Sequence, residues 1–66
     1  MAIHRTAWID PAAKVHESVE VGPNVVIDGP VTIAANCRLG PSAVVLGETE
    51  IGESCNIHSH AVIGDT

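Results

Sequence analysis

Counting in sixes from Ile3 reaches Ile9, Val15, Val21, Ile27, Ile33, Leu39, Val45, Ile51, Ile57 and Ile63, all aliphatic. Only 18 of the 66 residues are Ile, Val or Leu, so one frame that collects eleven of them is an internal repeat. Four places after each aliphatic the chain carries Ala7, Ala13, Val19, Val25, Val31, Cys37, Ala43, Thr49, Cys55 and Ala61, all small or β-branched. Every charged residue falls outside these two classes, and every Gly and Pro falls one to three places after an aliphatic. A helix cannot use this pattern: at about 100° per residue, a six-residue step splits the aliphatics into three stripes with no common face. One long strand fails too, because its two-residue period would bury the position two after each aliphatic. That position holds Arg5, Pro11, Glu17, Pro23, Gly29, Glu53 and Asp65 among others. Short strands joined by bends every six residues satisfy all the classes, with Gly and Pro placed where bends need unusual or preset φ.

Bends of one kind wind the chain into a coil. Three strands per coil make a turn of 18 residues, and the 66-residue chain then holds about 3.7 turns stacked ~4.8 Å apart. An outward position sorts in that register: Trp8, Val26, Val44 and Val62 on one wall, Lys14, Thr32 and Glu50 on the second, Ala2, Glu20, Arg38 and Asn56 on the third. One wall is wholly apolar and two are largely polar, a separation that another number of walls would scramble. The expected fold is all-β, a parallel β-helix in the form of a triangular prism, with residues 1–66 as one segment. Known hexapeptide-repeat prisms wind left-handed, against the usual crossover rule, and that handedness is implied by the resemblance alone.

Composition narrows the function. Apolar residues make up 45% of the chain, yet Trp8 is its only aromatic, which argues against a conventional sandwich core. Eight acidic residues against three basic give a net charge of −5. Arg5, Lys14 and Arg38 are scattered, so nucleic acid and anionic membrane are poor partners. The longest apolar run, Ala43–Leu46, is too short for a bilayer span or a signal peptide, and a cytoplasmic chain is the expectation. The apolar wall, with Leu46 beside it, reads as a subunit interface: Trp8, Val26, Val44, Leu46 and Val62 form a contiguous patch. A closed threefold ring lets each prism bury one wall, so a homotrimer is expected. Open prism ends would leave unpaired strand edges and invite end-to-end stacking.

Few residues offer chemistry. Cys37 and Cys55 lie 18 apart in an inward class, stacked within disulfide range but more simply two small buried thiols in a reducing compartment. His4, His16 and His58 face outward and His60 sits at a corner. His58 and His60 would need a third ligand from another chain to hold zinc, so no metal site and no cofactor are expected. Glu48, Glu50 and Glu53 read as a solvated acidic corner rather than an acid–base pair. Asn24 and Asn36 suit left-handed corners. Gly22, Gly40, Gly52 and Gly64 are too far apart to cradle a phosphate, and no Ser–His–Asp set is identifiable. The frame is never interrupted, so no loop of the kind that often carries function leaves the prism.

The opening Ile3-His4-Arg5-Thr6-Ala7-Trp8-Ile9-Asp10-Pro11-Ala12-Ala13-Lys14-Val15 continues through Val21-Gly22-Pro23-Asn24 and Glu50-Ile51-Gly52-Glu53 to Asn56-Ile57-His58-Ser59-His60-Ala61-Val62-Ile63-Gly64. It resembles the N-terminal part of the UDP-N-acetylglucosamine O-acyltransferase family of lipid A biosynthesis, over the whole chain. The hexapeptide pattern is shared by many acyltransferases; the opening motif is more specific. The resemblance implies a cytosolic homotrimer that moves a 3-hydroxyacyl group from acyl carrier protein to the sugar. It also implies that the family's general base and substrate contacts lie beyond Thr66, so this segment is about a quarter of a full-length member and is inactive alone. No catalytic residue transfers to this chain, His58 and His60 included. Two other readings stand beside it: a non-catalytic trimeric β-helix scaffold, and a zinc protein of the γ-carbonic-anhydrase type, which uses the same fold.

Overall fold

The computed structural model describes residues 2–64. Eleven strands follow one another with no helix among the described residues: Ala2–Ile3 (β1), Trp8–Ile9 (β2), Lys14–Val15 (β3), Glu20–Val21 (β4), Val26–Asp28 (β5), Thr32–Ile33 (β6), Arg38–Leu39 (β7), Val44–Leu46 (β8), Glu50–Ile51 (β9), Asn56–Ile57 (β10) and Val62–Ile63 (β11). They are short because each must end where the next bend begins. β1, β4, β7 and β10 build one wall, β2, β5, β8 and β11 the second, β3, β6 and β9 the third. All pairings are parallel, and each joins residues 18 apart, as in Trp8 with Val26 and Val26 with Val44. The fold is the parallel β-helix that the six-residue period predicts, and the three walls are those sorted by the outward positions.

The interior is a stack of aliphatics, and among the described residues no polar side chain is buried with them. Val19, Val25, Ile27, Val31, Ala43 and Val45 are completely enclosed, and Ile33, Leu39 and Cys37 nearly so. Burying a side chain of this size contributes roughly 1.5–3 kcal/mol, and the best-buried ones lie in the middle coils. Ala7, Ile9, Ala13, Val15, Cys55, Ile57 and Ile63 pack on this core but stay partly open. They belong to the first and last coils, which have a neighbour on one side only.

The corners differ: Gly29, Gly47 and Gly64 take positive φ at those that follow β5, β8 and β11. Asn24, Asn36, Ser42, Ser54 and His60 take left-handed φ of 57 to 63°. The N–H groups of Ser42, Ser54 and His60 then donate down to the carbonyls of Pro23, Ala35 and Pro41 in the preceding coil. Asn24 and Asn36 fulfil the expectation for left-handed corners; Ser42, Ser54 and His60 share that backbone without a composition that announces it. The equivalent residues of the first coil, Thr6 and Ser18, have no positive φ, nor has Ala12 at its third corner. Their turns close on Ala7 N–H to His4 O, Ala13 N–H to Asp10 O and Val19 N–H to His16 O at 2.9–3.0 Å.

Candidate functional site

Strand alternation turns one residue of each two-residue strand inward and the other outward. In the wall of β2, β5, β8 and β11 the outward residues are Trp8, Val26, Val44 and Val62, paired in sequence Trp8–Val26, Val26–Val44 and Val44–Val62. They form a file up the outside of the prism. Trp8 and Val62 are 51% and 58% exposed, while Val26, Val44 and Leu46 are half-buried. Leu46 pairs with Asp28 in the next column, which sets it beside the file. All five residues expected at an interface therefore share one face. Exposed aliphatics and an indole in unbroken register are unusual on a lone soluble chain.

The other walls are polar. Glu20 and Arg38 stand in register and their side chains meet, Nε to Oε2 at 2.7 Å, with both groups largely exposed. Such a pair contributes about 0–1 kcal/mol. Lys14, Thr32 and Glu50 line the third wall, beside a shallow groove edged by Pro30, Thr32, Glu48, Thr49 and Glu50. Thr49 is the one polar residue of the inward class, and its hydroxyl donates to the Leu46 carbonyl at 2.8 Å.

The thiols of Cys37 and Cys55 are both free, Cys37 buried and Cys55 half-buried. Cys37 directs its S–H to the Gly52 carbonyl at 3.0 Å. His58 and His60 are exposed, and His60 is fixed by its own backbone N–H to Pro41 O. Among the described residues no three His, Cys, Asp or Glu side chains group so as to hold a metal ion.

Three corner side chains, by contrast, have a role that residue type alone does not announce. Nδ1 of His4 accepts the N–H of Thr6 at 3.2 Å and lies 2.8 Å from its hydroxyl. His16 repeats this with Ser18 at 3.1 and 2.8 Å. Asp10 accepts the N–H of Ala12 on Oδ1 at 2.8 Å and that of Gly29 on Oδ2 at 3.1 Å. The Ala12 and Gly29 N–H groups hold the Asp10 carboxyl below its ordinary value of 3.8, with Asp28 adding to this and desolvation opposing it. A signal existed: acceptor-bearing side chains stand at 4, 10 and 16, two places before Thr6, Ala12 and Ser18.

A parallel β-helix with an unbroken six-residue repeat and one apolar outer wall defines a hexapeptide-repeat protein. Residues 3–66 match the GMPPB C-terminal domain family, and the chain belongs to that family. No curated protein and no solved structure matches it. The match names a different branch of hexapeptide proteins from the acyltransferase that the opening motif resembles. No helix among the described residues is long and apolar enough to cross a membrane.

Proposed function

We propose that this β-helix is the assembly segment of an acyl-carrier-protein-dependent UDP-N-acetylglucosamine O-acyltransferase, working in the cytoplasm as a homotrimer. Its own role is to hold three copies together through Trp8, Val26, Val44, Leu46 and Val62. The carrier protein and the nucleotide sugar are partners of the longer parent, whose catalytic groups this segment does not supply. The observation that carries the assembly role is the in-register apolar file on a single wall. The enzyme assignment rests on the opening motif.

The family match favours a second reading, in which the same prism is the β-helix of a nucleotidyltransferase. Both readings give the prism one task and differ in the chemistry attached to it. Sedimentation tests the task. The native chain is expected to run as a trimer, and Val44→Lys as a monomer that keeps its β-sheet circular dichroism. A native monomer at micromolar concentration would sink the assembly role. Assay of the complete gene product decides the chemistry: acyl transfer from carrier protein to the sugar supports the first reading, nucleotidyl transfer to a sugar phosphate the second. The 66-residue chain alone is expected to turn over neither.

A further inference from the structure

At the later corners with a left-handed Asn, Ser or His, the backbone N–H points at the coil before it. Ser42, Ser54 and His60 give theirs to the carbonyls of Pro23, Ala35 and Pro41. Asn24 and Asn36 give theirs to the hydroxyls of Thr6 and Ser18, at 2.9 and 2.8 Å. Among the described residues no strand lies beyond β1, β2 and β3, so the N–H groups of Thr6, in register with Asn24, Ser42 and His60, and of Ser18, in register with Asn36 and Ser54, have no such acceptor. Both are taken instead by side chains of their own turns, His4 Nδ1 and His16 Nδ1. The third corner is built differently, with Pro30 in register with Ala12, and there Asp10 accepts the N–H groups of Ala12 and Gly29.

The geometry points to a built cap: the first coil closes two of its own corners, and a second copy of this chain does not extend the prism through that edge. At these corners an imidazole takes the hydrogen bond that a preceding coil would otherwise accept. A copy stacking on this edge would have to displace both side chains. The strands of the edge stay unpaired, yet its corners offer no donor. This modifies the expectation that open ends stack, since corners whose N–H groups are already taken make the edge a poorer template for pairing.

The hydrogen bonds are self-consistent. Nδ1 of His4 and His16 accepts a backbone N–H, so each neutral ring carries its proton on Nε2. The Thr6 and Ser18 hydroxyls then donate to Nδ1, which leaves their oxygens to receive Asn24 and Asn36. The cap thus also seats the second coil.

Light scattering and electron microscopy of the 66-residue chain test the cap. Native protein is expected to give particles of one fixed mass at all concentrations. The double variant His4→Ala with His16→Ala is expected to elongate into axial stacks. His4→Asn with His16→Asn, which restores an acceptor at both corners, is expected to stay discrete. Elongation of the native chain, or a folded double alanine variant that remains discrete, would overturn the proposal. Should the double alanine variant not fold, nitrogen-15 spectra of the native imidazoles decide: the Nε2–H tautomer at both rings supports the cap, and Nδ1–H overturns it. Lateral assembly through the apolar wall sets only the mass of the discrete particle, so its failure is a separate result.

Discussion

A left-handed φ costs a residue with a Cβ about 1–2 kcal/mol relative to the regions it prefers, least for Asn and most for a β-branched side chain. Asn36 sits at φ 62°, with its N–H held by Ser18 Oγ. Replacing it by Val is expected to lower stability by about 1–2 kcal/mol, whereas Asn36→Gly stays within about 0.5 kcal/mol; urea unfolding of the two variants checks this. Asp10 gives a pH dependence. Its carboxyl is held below the ordinary 3.8 in the folded chain, so its stabilising effect is present above that value and is lost as pH falls through the folded value. Asp10→Asn keeps one acceptor but does not titrate. Its thermal midpoint is expected to fall less steeply than that of the native chain on acidification below 3.8, as calorimetry over that range would record. The inward aliphatics were legible in the sequence because burial imposes a strict type at a strict spacing. The left-handed backbone of Ser42, Ser54 and His60 was not, since it follows from stacking on the previous coil and leaves no mark on residue type.

Strand and corner alternate so closely here that each corner's geometry is set by the neighbouring coil. Gly22, Gly40 and Gly52 occupy the same place in their repeats, and the chain treats them differently. A Cβ on Gly40 would lie 2.9 Å from Ser59 N and 3.1 Å from Ile57 O, both backbone atoms, while one on Gly52 meets nothing within 4 Å. Gly40→Ala therefore has to push adjacent coils away from each other and is expected to cost about 2 kcal/mol, against no measurable loss for Gly52→Ala; paired denaturant titrations separate them. Spacing placed the strands and walls and sets His58 over Gly40 and none over Gly52, but could not give how close the covering backbone comes. Their difference lies in how closely another backbone approaches. The same limit hid the His4–Thr6 and His16–Ser18 corners. As single residues they are exposed histidines, and only the ring's distance to a backbone N–H gives them a role.

For the molecule as a whole, the 18-residue register gave both the fold and the apolar face. All five expected face residues fall together because burial inside fixes which residues remain outside. What covers that face was never encoded in the periodicity, which describes one chain. Chemistry is equally outside it: the two enzymatic readings rest on a family match over residues 3–66 and on the opening motif within them, not on the six-residue period. Each strand pairs only with those one coil above or below it, and that has a consequence for wear. Stability in such a stack adds up turn by turn. Damage at an outer layer is therefore borne by that layer, and the interior rungs keep their full complement of contacts for as long as one sound layer stands on either side of them.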